Sequence, residues 1–260
     1  MRCETPLVKI DDLTVTFSRW GQKVRALDKV SLSVPPGQWV MLVGHNGSGK
    51  STMLKAICGR VRLESGSVTV EGDPVQQLSA SQVASRMFHV HQDPLLGTAA
   101  KLTLYENLLM ADDDGAHMSR KALQDKYKRL LRSLGLAERL KQLARHLSGG
   151  ERQLLALLIA QLRPSSLMLL DEPLAALDPT KAEQSFQLVE ALHKSGRTII
   201  HVTHDPSMAI SKGDRTVALR DGAIIYDKLE GERNAHDIKE LWASEVTERD
   251  DSASGFLTVS

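Results

Sequence analysis

The nine residues Gly44-His45-Asn46-Gly47-Ser48-Gly49-Lys50-Ser51-Thr52 have the make-up of a polyphosphate cradle. They satisfy G-x-x-x-x-G-K-[ST] at every fixed position. Glycines free the backbone to wrap an anion with its N–H groups turned inward. A helix opening near Lys50 would add the positive end of its dipole. Lys50 would reach the β- and γ-phosphates of a nucleotide. The Ser51 hydroxyl would bind Mg²⁺, which keeps several waters and takes few protein ligands. Taken alone, the match also fits a glycine-rich turn, and it does not separate a kinase, a GTPase or a motor.

A second constellation sharpens it. Leu167-Met168-Leu169-Leu170-Asp171-Glu172 is an apolar strand ending in two acids. In a phosphate-loop fold such a strand end lies beside the loop. Asp171 would then hold Mg²⁺, directly or through water. Glu172 would orient or deprotonate an attacking water. Gln92 follows Phe88-His89-Val90-His91 and would reach the metal or that water. His204 follows the strand Ile199–Thr203 and would touch the γ-phosphate. Alone, each is ordinary: a strand-end His is more often structural, and a lone Gln is usually just polar.

These residues need strands and helices to position them. Trp39-Val40-Met41-Leu42-Val43 is short, apolar and β-prone, whereas Met53, Leu54, Ile57 and Val61 recur at helical spacing. The cradle therefore sits between a strand and a helix. Upstream, Val8-Lys9-Ile10 and Leu13–Phe17 predict two strands and Val30–Val34 a third; Pro35-Pro36-Gly37 is a turn. Ser65-Gly66 predicts a turn before a strand at Ser67–Val70. Residues 93–162 become mostly helical. Ser119 would cap a helix with an apolar side of Leu123, Tyr127, Leu130, Leu131 and Leu134. Its other face, Arg120, Lys121, Lys126, Lys128, Arg129 and Arg132, is expected to be solvated. Asp112-Asp113-Asp114 lacks companion metal ligands and is expected to be a loop, and Leu154–Ala160 a buried helix. From Leu167 strands and helices alternate again, with a terminal hairpin of Thr216–Leu219 and Ala223–Tyr226. The tail after Trp242 is polar and expected to be loose.

Composition narrows the class. A chain of 260 residues with 42% hydrophobic content can bury the core of one large domain or two small ones. A net charge of +1 implies no nucleic acid or other polyelectrolyte partner. Cys3 and Cys58 have neither metal-ligand spacing nor a disulfide framework, and Cys58 is expected in the core. This usage suits a reducing compartment. No apolar run approaches the roughly 18–20 residues of a membrane span, and without a charged region followed by an apolar one near the N-terminus no signal peptide is expected. Any membrane role would run through another subunit. No internal repeat is present, so one nucleotide-binding unit per chain is expected.

Leu147-Ser148-Gly149-Gly150-Glu151-Arg152-Gln153 resembles the signature sequence of the ABC (ATP-binding cassette) ATPases. The phosphate loop at 44–52, Gln92, this signature, the acidic strand at 167–172, Ala175-Ala176-Leu177-Asp178 and His204 follow in the family's order, covering about residues 7–230. The resemblance implies an α/β fold: a P-loop NTPase (RecA-like) core with a mainly parallel sheet, an N-terminal antiparallel β subdomain and an inserted α-helical subdomain. All would belong to a single domain, 1–260, with core and β subdomain about 5–92 and 163–230, helical subdomain about 93–162 and tail about 231–260. It implies ATP and Mg²⁺ as cofactors, and two cassettes stacked head to tail. ATP would lie between the phosphate loop of one and Ser148, Gly149 and Gly150 of the other, with Asp178 of the D-loop among the contacts. The Ser148 hydroxyl and glycine N–H groups at a helix start suit that task. An aromatic residue ahead of the loop stacks on adenine in this family; Phe17 matches by spacing, with Trp20 the alternative. Two departures are Glu151, where many members have Gln, and Leu174, where a small hydroxyl residue often follows Glu-Pro.

By resemblance the chain is expected to be the energy-coupling ATPase of a bacterial transporter, peripheral on the cytoplasmic face of the inner membrane. Its partners would be a second copy, an integral membrane permease and, indirectly, a secreted solute-binding protein. Gln92–Thr98 and Leu102–Leu108 resemble the cassettes of solute importers, so import is expected. The alternatives are a separate-chain ABC exporter ATPase and a soluble ABC ATPase in cofactor assembly. DNA-repair cassettes insert long coiled coils or zinc modules between loop and signature, and Gln92 to Ser148 is compact. Translation-type members carry two cassettes, and this chain has one.

Overall fold

The computed structural model describes residues 5–19, 22–174 and 177–233. Cys3, Trp20, Ala175, Ala176 and the tail beyond Arg233 lie outside the described residues. In chain order, β1 (Val8–Arg19) and β2 (Gln22–Val34) precede β3 (Trp39–Val43), which feeds the glycine loop and α1 (Lys50–Ile57). β4 (Ser65–Val70), β5 (Asp73–Pro74), α2 (Ala80–Arg86) and β6 (Met87–Val90) follow. Next come α3 (Leu104–Leu109), α4 (Arg120–Arg132) and α5 (Gly149–Leu162). β7 (Leu167–Asp171), α6 (Pro179–Lys194), β8 (Thr198–Thr203), α7 (Pro206–Ser211), β9 (Arg215–Arg220) and β10 (Ala223–Leu229) complete the order.

The strands make two sheets. One is antiparallel, in the order β2-β1-β4-β5; the other runs β10-β9-β3-β8-β7-β6 and is parallel except for β10. Strand alternation gives the parallel sheet two apolar faces. Val40, Leu42, Leu167, Leu169, Ile200 and Val202 face α1 and the antiparallel sheet in one core. Met41, Val43, Met168, Leu170 and Ile199 pack on α5, α6 and α7 in a second. A third core joins α3, α4 and α5. Cys58 is buried, and burial pushes its thiol up to about 11, so it is an inert packing residue. Among the described residues no helix is long and apolar enough to cross a membrane.

Two local expectations are corrected. The segments at 8–10 and 13–17 are not separate strands but one bent strand, β1. Asp12 adopts φ 43°, and the register with β2 slips between Ile10 and Leu13. The bulge keeps both Ile10 and Leu13 inward, which an unbroken period of two cannot do. The aspartate run is not a simple loop either: Asp113–His117 is a 3-10 helix and the Asp112 side chain is 2% exposed. Asp112 accepts from Lys126 Nζ at 2.7 and 2.9 Å and from Tyr127 Oη at 3.0 Å. Lys126 thus leaves the solvated face assigned to it, because its long stem carries the ammonium around the flank of α4. Asp112→Ala, which strands a half-buried ammonium, is expected to cost about 2 kcal/mol in urea unfolding. An unchanged midpoint and slope would show that the pair contributes nothing.

Candidate functional site

Strands β3, β6, β7 and β8 run parallel, so their C-terminal ends share one edge of the sheet. In open α/β sheets this is the edge where ligands bind. The residues singled out from the sequence emerge there from four different strands.

After β3 the chain turns through residues 44–49 into α1. Gly49 holds φ 107°, and a Cβ there would lie 2.6 Å from the Ala26 carbonyl. Only glycine allows the loop to press this closely on β2. Lys50 is the first residue of α1 and only 6% exposed. Its Nζ curls back to donate to the carbonyls of Gly44 at 2.6 Å and His45 at 2.8 Å. Burial lowers its pKa, and the charges of Glu172 and Asp171 oppose that shift. Ser51 and Thr52 follow on the first turn.

At the end of β7, the Asp171 carboxylate stands near enough to the Ser51 hydroxyl on the first turn of α1 to be stabilised by it. Burial raises its pKa and the neighbouring Glu172 carboxylate adds to this; Ser51 and Lys50 oppose. Glu172 stands in the left-handed region at φ 48°, where a non-glycine residue is uncommon. Its N–H donates to Val202 O at 3.1 Å, tying the strained residue to β8. Its Oε2 then meets two groups: Gln92 Nε2 donates to it at 3.3 Å, and His204 Nδ1 lies 3.2 Å away. Lys50, Ser51, Asp171, Glu172, Gln92 and His204 therefore form one connected cluster. Ser51 O, Asp171 O and the Gln92 amide oxygen are hard donors of the kind Mg²⁺ prefers.

The other candidates lie apart from it. No hydrogen bond or ion pair joins Ser148, Gly149 or Gly150 to the phosphate loop among the described residues. Ser148 caps α5 in a capping box: Glu151 N donates to Ser148 Oγ at 3.2 Å, and Ser148 N to Glu151 Oε2 at 2.8 Å. Burial pushes the Glu151 carboxyl up, but the Ser148 N–H and Arg139, 2.6 Å away, hold it below its usual range. The acid at this position thus has a structural task. Gly149 faces open space, whereas a Cβ on Gly150 would meet Lys181 Cδ at 2.6 Å and Leu177 Cδ2 at 3.1 Å. Asp178 caps α6, accepting from Lys181 N at 3.0 Å and Lys181 Nζ at 2.8 Å. Lys181 went unnoticed in the sequence, although its i, i+3 spacing from an Asp-Pro helix start was a signal. Phe17 is 39% exposed on β1 opposite Val24, which is 51% exposed, so the pair offers a flat apolar platform.

The sequence and fold compare clearly with known proteins. The family model described as ABC transporter matches residues 27–175. A tyrosine transport ATP-binding protein of Clostridioides difficile is 31% identical over 246 residues, covering 90% of this chain and 97% of that protein. A macrolide export ATP-binding/permease protein of Hyphomonas neptunium is 35% identical over 228 residues, covering 85% of this chain but 34% of that longer protein. Among solved structures, a dimeric ATP-binding cassette in a post-hydrolysis state with ADP and Pi superposes with a TM-score of 0.74. It is 27% identical, and the match covers 87% of this chain and 99% of that one.

Proposed function

This chain belongs to the ABC transporter family and is its ATPase component, and on that footing we propose that it closes as a dimer around ATP to drive solute import through a separate membrane permease. The observation that carries the catalytic part is the convergence of Gln92 and His204 on Glu172 Oε2, at 3.3 and 3.2 Å. Glu172 is the base that takes a proton from the attacking water. His204 holds that carboxylate and contacts the γ-phosphate. Gln92 spans the water and the metal position. Lys50 exchanges its loop carbonyls for phosphate oxygens. Ser51, Gln92 and Asp171 would hold Mg²⁺, which would supply charge neutralisation at the phosphates. Phe17 stacks on adenine. Ser148 and the N–H groups of Gly149 and Gly150 complete the site of a second copy, in keeping with the open space before Gly149.

Docking to a permease is supported by a cavity of about 540 Å³ between α1, α2 and the segment around Gln92. Val75, Leu78, Val83 and Met87 make its apolar wall, and Arg60, His89, His91 and Arg163 its polar one, with no Asp or Glu in the lining. The rings of His89 and His91 lie 3.9 Å apart, and both His89 nitrogens are buried without a partner. Burial, then His91 and Arg60, push His89 down to about 3. Such a groove suits an apolar helical segment that carries a carboxylate.

Detergent extraction of cells bearing the tagged full-length chain tests this. Recovery with an integral membrane protein is expected, and ATP turnover by that complex should rise with a secreted solute-binding protein. Recovery only as a free protein overturns the permease reading. Arg60→Glu is expected to lower co-recovery at least about tenfold, as reversing the charge that faces a partner's carboxylate does. Basal turnover of the isolated chain should stay within about twofold, because among the described residues no hydrogen bond or ion pair joins the Arg60 side chain to Lys50, Gln92, Asp171, Glu172 or His204. Export is the second reading, favoured by the likeness to the macrolide exporter. Turnover indifferent to any binding protein, with solute leaving the cassette side of proteoliposomes, would establish it.

A further inference from the structure

Ser148 and Asp178 begin neighbouring helices. α5 opens at Gly149 with Ser148 as its cap, and α6 opens at Pro179 with Asp178 as its cap. Gly150 lies against Lys181 near these starts, and farther along Gln161 Nε2 donates to Leu188 O at 3.3 Å. The helices therefore run side by side with their N-termini at one end. Ala156, Leu157, Phe186 and Val189 join them in a shared core. Among the described residues no hydrogen bond joins their first turns.

Lys181 spans that gap. A Cβ on Gly150 would lie 2.6 Å from its Cδ and 3.5 Å from its Cε, so the stem rests on bare glycine backbone. Beyond the stem, Nζ donates to Asp178 Oδ2 at 2.8 Å, while the Lys181 N–H donates to Asp178 Oδ1 at 3.0 Å. One residue thus takes both carboxylate oxygens of Asp178. The ammonium stands beside the start of α5, where the helix dipole opposes a cation. The hydrogen bond to Asp178 raises the lysine's pKa, desolvation opposes this, and the Asp178 and Glu151 charges add to the rise. Such a half-exposed i, i+3 pair contributes little to stability, and a held lysine gives up much rotamer freedom. What the arrangement secures is alignment.

We propose that Lys181 is a positioning residue that fastens Asp178 to Gly150, so that a second copy of the chain meets both at a fixed spacing. Its apolar stem sets the distance between the two helix starts, and its ammonium sets the direction of the Asp178 carboxylate. The fastening is a property of the single chain. Only its effect on pairing rests on the reading that this end meets a second copy around ATP.

Hydrogen exchange on the full-length chain without nucleotide tests the fastening. Lys181→Ala, a change on α6, is expected to speed exchange of amides 151–153 on α5 at least about threefold. Lys181→Arg, which keeps a stem and a cation, should stay within about twofold of the natural chain. Pairing is read by sedimentation with ATP and Mg²⁺ in the Glu172→Gln background. There Lys181→Ala should raise the concentration for half-dimerisation about tenfold, and Lys181→Arg should restore it, as preorganisation of a binding surface requires. The affinity of a fluorescent ATP for the open chain should stay within about twofold, whereas a general loss of structure would weaken both. Unaltered exchange at 151–153 in Lys181→Ala overturns the fastening. Faster exchange with unaltered dimerisation, or an equal loss in Lys181→Arg, overturns the role in pairing. If Glu172→Gln itself forms no dimer with ATP, the dimer reading fails, and the exchange still decides the fastening.

Discussion

Glu172→Gln is expected to lower ATP turnover about 10²–10⁴-fold while leaving ATP affinity nearly unchanged, as removal of a general base does. The amide keeps the shape of the side chain and a polar atom for Gln92 and His204, which now meet at Oε2. It cannot accept the proton of the attacking water. Loss of the Glu172 charge also removes one of the influences that raises the Asp171 pKa, so the acid assigned to the metal ionises more readily. Binding is thus preserved and the chemical step is lost. The variant should accumulate as an ATP-bound dimer, seen by size-exclusion chromatography with ATP and Mg²⁺. Turnover at the natural rate would show that Glu172 is not the base.

Lys50→Ala should be nearly as damaging, about 10²–10³-fold in turnover, because it deletes a preorganised cation at the transferring phosphoryl group. Burial already lowers the pKa of this lysine, so holding the charge there is costly unless anions face it. Asp171, Glu172 and the two loop carbonyls now face it, and the phosphates would do so more strongly. Unlike Glu172→Gln, this variant should also bind ATP more weakly and form no dimer. Phosphate release and fluorescent-nucleotide titration separate the two cases. Near-normal phosphate release from purified Lys50→Ala would remove the lysine from the mechanism.

Much of the fold is legible in short stretches of sequence. The strands at 39–43 and 167–170 are continuous apolar runs, and 198–203 is β-branched and apolar apart from His201, as strands buried on both faces tend to be. The starts of α4 and α5 carry Ser119 and Ser148 at the caps; periodicity fixes the buried face of α4, and the unbroken apolar run Leu154–Ala160 buries α5 all round. These signals act within a few residues. Features that depend on what arrives from elsewhere are not legible. The bulge at Asp12 is set by pairing with β2 and β4, and the Asp112–Lys126–Tyr127 cluster by the packing of α4 on the preceding turn. The cationic groove is assembled from α1, β6 and Arg163, and no local pattern links them.

The sequence by itself determined which chemical groups are available and in what order: the glycine cradle with Lys50 and Ser51, the acids ending an apolar strand, the capped glycine pair. That information is local, since each motif is a run of adjacent residues with fixed backbone demands. Tertiary structure alone decided which of them meet. Gln92 and Glu172 are 80 residues apart and His204 and Glu172 are 32, yet parallel pairing of β6, β7 and β8 delivers all three to one oxygen. The same sheet leaves Ser148–Gly150 unjoined to the cradle, because α5 starts within the helical layer rather than at the strand edge. The chain thus carries two groups of residues that it does not itself bring together, and strand order, which no single segment encodes, is the physical reason.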